Sequence, residues 1–125
     1  MQTRVPNPSL ILVSTLVLAL SLEVVSRASA ANVKPIRVLL ITGGCCHDYA
    51  TQKEILKKGI EERANVRVEQ LHSDDTSTHP PLAFLGNPDY AKGYDLIIHD
   101  ECASDISEPA KVEAVLKPHR DGLPG

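Results

Sequence analysis

The feature that most constrains this 125-residue chain is a short aliphatic run that ends in reactive side chains. Residues Ile36 to Ile41 are apolar except for Arg37, which is typical of a buried parallel strand. Two glycines, two thiols, an imidazole and a carboxylate follow this strand: Gly43, Gly44, Cys45, Cys46, His47 and Asp48. Ligands of open α/β sheets bind at the carboxyl ends of the strands. The run therefore predicts a strand with a candidate site at its end.

The next segments alternate between helical and strand patterns. Thr51 and Glu54 match a capping box, which predicts a helix with Thr51 at its N-terminus. Val66 to Leu71 follows as a second strand, with Val66, Val68 and Gln70 on one face. A strand, a helix and a second strand form a βαβ unit with a right-handed crossover. The predicted fold class is therefore α/β, with a parallel sheet and flanking helices.

The second half of the chain predicts a third strand and a second helix. A polar connection from His72 to Gly93 is long enough to suggest a binding loop or a lid. Tyr94 to Ile98 reads as the third strand, and Ser107 as the N-cap of a helix that ends near Pro118. Three parallel strands and two helices leave a sheet edge and at least one sheet face open. We therefore expect residues 31–125 to be the N-terminal part of a larger α/β domain.

A second reactive cluster follows the third strand and consists of His99, Asp100, Glu101 and Cys102. Two clusters at strand ends suggest a single site. His47 is a candidate general acid or base with Asp48 as its partner, but Asp48 could instead cap the following helix while His47 makes a loop hydrogen bond. In the second cluster, the carboxylates could accept hydrogen bonds from sugar hydroxyls and His99 could donate one, or these residues could form a polar loop that caps the strand.

The paired glycines suggest a tight turn or a close approach of the backbone to a ligand. Gly43 and Gly44 do not belong to a Gly-x-Gly-x-x-Gly pattern, so a dinucleotide is disfavoured and no cofactor is assigned.

The N-terminus has the pattern of a secretory signal peptide over residues 1–30. Arg4 precedes an apolar run from Leu10 to Leu22, and Ala28 to Ala30 matches a cleavage site. We expect export to the periplasm or the extracellular space, with an uncleaved anchor as the alternative and no further membrane segment. The remaining 95 residues carry 11 basic and 15 acidic side chains, scattered along the chain, which argues against nucleic-acid binding.

The three cysteines leave several roles open. Because their number is odd, at least one has no partner within the chain. In an oxidising compartment, Cys45 or Cys46 could form a disulfide with Cys102. Metal binding or redox chemistry, with His47, His99 and Glu101 as further metal ligands, is the second reading, and inert thiols are the third. The metal is not specified by any strong zinc motif.

Several motifs together resemble the trehalose-utilisation (ThuA-like) family. They are the strand with Gly43-Gly-x-x-His-Asp-Tyr49, the Gln52-Lys-x-x-Leu56 helix, Asn87 to Asp95, and His99-x-Glu-Cys102. The resemblance implies a flavodoxin-like, class I glutamine amidotransferase-like fold with strand order 2-1-3. It also implies a role linked to disaccharides and keto-sugars. Glutamine hydrolysis is not implied, because no cysteine lies in a Gly-x-Cys-x-Gly elbow.

We therefore expect an exported ThuA-like domain that binds or processes a carbohydrate derivative, a small molecule. His47, His99 and Glu101 are its predicted catalytic residues, and the predicted substrate-binding residues are Gly43, Gly44, Asp48 and Asp100. A non-catalytic interaction module of a larger exported protein and a metal-dependent enzyme are the alternatives.

Overall fold

The computed structural model describes residues 33–125, so the predicted signal peptide lies outside the described residues. The elements in chain order are β1 (Ile36–Gly44), α1 (Tyr49–Glu61), β2 (Val66–Ser73), β3 (Leu96–Cys102) and α2 (Pro109–Arg120). The strands form one parallel sheet in the order β2-β1-β3. The predicted α/β class is confirmed, and the arrangement is compatible with a flavodoxin-like fold.

The register of the sheet brings the two reactive clusters to neighbouring strands. Gly44 at the end of β1 pairs with Cys102 at the end of β3, and Gly43 pairs with Ser73 of β2 on its other side. Because the three strands are parallel and paired in register, their carboxyl ends lie at the same edge of the sheet. The predicted proximity of the two clusters is therefore confirmed at the level of the backbone.

Both faces of the sheet carry a small hydrophobic core because side chains alternate along each strand. Leu56 and Ile60 of α1 pack against the buried side chains of one face, which are Val38, Leu40 and Val68. The buried side chains associated with the other face are Leu39, Ile41, Leu82, Phe84, Ala91 and Ile97, with Val115 of α2 packed against them. Val66, Val68 and Gln70 share the α1 face as predicted, since Gln70 Nε2 donates to the Lys53 carbonyl in α1.

The long connection after β2 is not an open lid. Its side chains Leu82 and Phe84 are only 4% and 2% exposed and pack on the sheet with Ala91. Turn hydrogen bonds, such as Leu85 N–H to the Leu82 carbonyl, satisfy part of its backbone. The expectation of an open sheet face is therefore wrong, because this segment and α2 cover the face opposite α1.

Strand β3 continues beyond the predicted end at Ile98. Its last residues are polar, but they pair with Ile41 to Gly44 of β1 up to Cys102. Backbone pairing with a buried neighbour extends the strand where the apolar pattern has ended. On the other side of β3, the Ile97 N–H donates to the Pro124 carbonyl, so the segment after α2 runs beside this strand.

The helix starts also differ from the predictions. Asp48 is the N-cap of α1, and its carboxylate accepts a hydrogen bond from the Thr51 N–H at 3.1 Å. The capping box centred on Thr51 is wrong by three residues, because Asp48 is itself a strong N-cap residue. Glu108, not Ser107, is at the N-cap of α2.

Neither helix within residues 33–125 combines the length and the apolar character that crossing a bilayer requires.

Candidate functional site

The pleat of β3 divides the predicted site residues between the two faces of the sheet. His99 and Glu101 project toward α2, where the His99 ring meets His119, whereas Asp100 projects toward α1, where it meets Gln52. His47 follows the end of β1, and its ring centre lies 5.5 Å from that of Tyr49 in α1. The structure thus contains two separate groups of side chains rather than the single site that the sequence suggests.

We call the first group the imidazole network and define it as Tyr90, His99, Glu101 and His119. The Nδ1 atom of His99 lies 2.8 Å from Glu101 Oε1, and its Nε2 atom lies 3.1 Å from Nε2 of His119. The Nδ1 atom of His119 lies 3.0 Å from the Leu123 carbonyl oxygen. These contacts form a continuous chain of hydrogen bonds from a backbone carbonyl to a carboxylate.

Each of the three contacts in this chain needs one hydrogen atom. The Leu123 carbonyl can only accept, so Nδ1 of His119 carries a hydrogen. The contacts from His119 to His99 and from His99 to Glu101 each need one further hydrogen. Two neutral imidazoles supply only two of the three. The chain is therefore complete only when an imidazolium or a protonated Glu101 supplies a third proton.

Tyr90 connects the imidazole network to α2 through its hydroxyl group. Its hydroxyl donates to the Val115 carbonyl at 3.1 Å and lies 3.3 Å from Nε2 of His99. Burial, together with the nearby charge of Glu101, raises the pKa of Tyr90 to about 12. The phenol is therefore protonated at neutral pH, and its oxygen can accept from an imidazole while its hydrogen is used by the backbone. The Phe84 ring packs 5.1 Å from that of Tyr90.

Glu101 also reaches a cavity beside the network. Its second carboxylate oxygen, Oε2, is buried and has no hydrogen-bond partner within residues 33–125. The adjoining cavity has a volume of about 230 Å³ and is otherwise apolar, with Phe84, Leu85, Ala103, Ile106, Val112, Val115 and Leu116 as lining residues. A buried carboxylate oxygen without a donor is energetically costly. Glu101 thus both lines this cavity and carries a buried oxygen that has no donor among the described residues.

We call the second group the thiol cluster and define it as Cys45, Cys46 and Cys102. The sulfur atoms of Cys45 and Cys102 lie 3.4 Å apart, and all three sulfurs lie within 4.8 Å of one another. Hydrogen bonds from the other two thiols lower the pKa of Cys45. The hydrogen bond to Cys45 and burial raise the pKa of Cys46 to about 11 and also raise that of Cys102. None of the three is in a disulfide.

The glycines that precede the thiol cluster are required by the packing of the sheet. A Cβ atom on Gly44, whose φ is +97°, would lie 1.8 Å from the Cys102 carbonyl oxygen. One on Gly43, with φ of +133°, would lie 2.6 Å from the Ser73 carbonyl oxygen. Both glycines let β1 approach its neighbours closely. This accounts for both glycines without reference to a ligand, and their predicted substrate-binding role stays a prediction.

Asp48 and Asp100, the two predicted substrate-binding carboxylates, are in different environments. Asp48 caps α1, and hydrogen bonds from Thr51 lower its pKa. Asp100 accepts from Gln52 Nε2 at 3.1 Å, while its other oxygen is buried without a partner in the described part of the chain. Burial raises the pKa of Asp100, and the charge of His47 opposes this rise. Asp48 thus has the structural role that was the alternative to a catalytic one.

Sequence reasoning did not identify Tyr90, His119 or Gln52 as site residues. Tyr90 belongs to a motif of the family resemblance, and Gln52 to another, so both could have been considered. His119 follows Pro118 near the end of α2, a position that suggests only a favourable charge at a helix C-terminus. Its role depends on how α2 packs on β3, which no local pattern contains.

The positions of these residues are thus known from the fold, and relatives offer no further guide to their function. Comparison of the chain with protein-family models, with curated proteins and with solved structures gave no match.

Proposed function

We propose that this chain belongs to an exported ThuA-like α/β domain that binds a carbohydrate derivative in the cavity beside Glu101. The observation that carries the proposal is the buried Oε2 atom of Glu101, which has no donor among the described residues. A sugar hydroxyl is a donor of the right kind, and a carboxylate is a strong acceptor for it. The parallel strand order β2-β1-β3 agrees with the family resemblance.

The size and the lining of the cavity favour one ring of a disaccharide or of its keto form. Its volume of about 230 Å³ is below the roughly 300 to 1,000 Å³ of sites for drug-sized ligands. The apolar walls, formed in part by Val115 and Leu116, suit the C–H face of a sugar ring. Specificity would then come from the hydroxyl that reaches Glu101.

The imidazole network suggests how the same residues could process the ligand. His99 is held by Glu101 on one side and by His119 on the other, so its orientation is fixed. An imidazole that exchanges protons along a hydrogen-bonded chain is suited to general acid or base catalysis at a sugar hydroxyl or carbonyl. In this proposal His99 transfers the proton and Glu101 binds and orients. His47 lies apart and has no part in it.

The test is direct binding to the full chain, measured by calorimetry against a panel of disaccharides and their keto forms. We expect saturable binding by at least one member. Glu101→Gln should weaken it about tenfold or more, because the hydroxyl loses a charged acceptor. Glu54→Gln is the matched control, since Glu54 is exposed on α1 and should leave the affinity unchanged. Circular dichroism of both variants establishes that they are folded.

Two results would overturn the proposal. The first is the absence of saturable binding across the whole panel. The second is a ligand that binds wild type and Glu101→Gln with equal affinity, since the buried Oε2 atom would then contribute nothing. Turnover of a bound keto-sugar that is lost in His99→Ala would extend the proposal from binding to catalysis.

A further inference from the structure

The thiol cluster is a compact set of three sulfur ligands built from two strands. Cys45 and Cys46 follow β1, and Cys102 ends β3, so residues far apart in sequence meet at one point. Cys46 has a φ of +83°, which is rare for a residue other than glycine. Such conformations cost energy and occur frequently where a ligand is held. Here the backbone turn allows two consecutive cysteines to face the third.

The separations between the sulfurs fit a shared metal ion better than a disulfide. A disulfide has a sulfur–sulfur distance of about 2.05 Å, whereas Cys45 and Cys102 are 3.4 Å apart. Three thiolates at about 2.3 Å from one ion would be roughly 3.8 to 4.0 Å apart. The sulfurs of Cys45 and Cys102, at 3.4 Å, are somewhat closer than this, and all three sulfurs lie within 4.8 Å of one another, so a modest side-chain adjustment would bring them onto one ion.

We propose that Cys45, Cys46 and Cys102 form a binding site for a single thiophilic d¹⁰ ion, Zn²⁺ or Cu⁺. Thiolates are soft ligands that favour these two ions over harder cations. Each thiol gives its proton to solvent when its sulfur binds the ion, so the thiols are not oxidised. Cys46 is exposed, which leaves an open route for the ion and space for an outer ligand.

This site is independent of the proposed sugar site. Cys102 and Glu101 are consecutive in β3, and their side chains therefore lie on opposite faces of the sheet. Loss of metal binding would leave the sugar proposal intact, and the reverse also holds.

The experiment uses the full chain, purified under reducing, oxygen-free conditions and freed of metal. Zn²⁺ and Cu⁺ are titrated separately against a coloured chelator, and Co²⁺ serves as a spectroscopic probe of thiolate ligands. We expect one Zn²⁺ or one Cu⁺ per chain and sulfur-to-cobalt charge-transfer bands. Cys46→Ser should weaken binding about a hundredfold, and Cys45→Ser and Cys102→Ser should act similarly. Because Cys46 is exposed, its variant is the least disruptive to the fold.

The control is His79→Ala, which removes an exposed imidazole outside the cluster and should leave the affinity unchanged. The proposal is overturned if the fully reduced chain binds neither ion at one equivalent. It is equally overturned if the cysteine variants bind as tightly as wild type, because the ion would then lie elsewhere. Isolation of a Cys45–Cys102 disulfide that persists under reducing conditions would also overturn it.

Discussion

At the residue scale, Asp48 and Asp100 show how burial and hydrogen bonding act on the same functional group with opposite sign. Hydrogen bonds from Thr51 stabilise the charged form of Asp48 and lower its pKa. Burial disfavours the charged form of Asp100 and raises its pKa. Ionised Asp48 therefore stabilises the fold, whereas ionisation of Asp100 destabilises it.

The variant Asp100→Asn should reveal this destabilisation, because its stability relative to wild type should depend on pH. The contribution of Asp100 to stability is present below its ordinary pKa of 3.8 and is lost as the pH rises through the raised value. Asn keeps an acceptor for Gln52 but cannot ionise. In urea unfolding, we expect the variant to gain stability relative to wild type as the pH rises above 3.8 and through the raised pKa of Asp100.

Asp48→Asn is the matched variant with the opposite sign. Its deficit relative to wild type should be present near neutral pH and should shrink as the pH falls through the lowered pKa of Asp48. Parallel pH profiles for the two variants would contradict the assigned environments.

At the scale of single elements, the packing of β1 depends on a position where no side chain fits. Gly44 combines a left-handed φ of +97° with a close approach to the Cys102 carbonyl. Gly86 has a similar φ of +84°, but a Cβ atom there would meet nothing within 4 Å. A comparison of substitutions at the two glycines therefore separates the free-energy cost of the backbone conformation from that of the steric clash.

Gly86→Ala should lower the free energy of unfolding by about 1 to 2 kcal/mol, the cost of the left-handed conformation alone. Gly44→Ala should lower it by clearly more, because β1 and β3 must move apart. Chemical denaturation of the two variants measures the difference. Equal costs would mean that the end of β1 is free to shift.

The strands and helices were predictable to the extent that their own residues specify them. The aliphatic run of β1, the apolar and polar alternation of β2 and the apolar spacing of α1 are local signals, and the parallel α/β class follows from the order of these elements. The polar end of β3 is held by its pairing with β1, which its composition does not reveal. For the same reason, sequence reasoning grouped His47 with His99, although the pleat and the end of β1 separate them.

At the scale of the whole molecule, β1 is the strand that both cores share. Its Leu40 lies under α1, and its Ile41 lies under Phe84 and the segment around it. A substitution that destabilises either core should therefore lower the unfolding free energy of residues 33–125 as a whole. Helix α2, which carries His119, is placed on its face of the sheet by contacts between segments that are distant in the sequence. Local sequence patterns do not predict such contacts.

Ile41→Val tests this coupling. It removes one methylene from a side chain that is 0% exposed and should cost about 0.5 to 1.5 kcal/mol of unfolding free energy. We expect faster amide hydrogen exchange in α1, on the opposite face of the sheet, as well as near Ile97. Ile55→Val is the control, because Ile55 is 65% exposed and its change should have little effect. Unchanged exchange in α1 would show that the two cores unfold separately.

The hydrogen-bonded chain from the Leu123 carbonyl to Glu101 joins β3 to the segment that follows α2. His119 lies near the end of α2, and His99 and Glu101 belong to β3. A shift of the segment after α2 would therefore displace His99 and, through it, the carboxylate that borders the cavity. This segment thus supports the position of the cavity wall, even though none of its residues is among those that line the cavity.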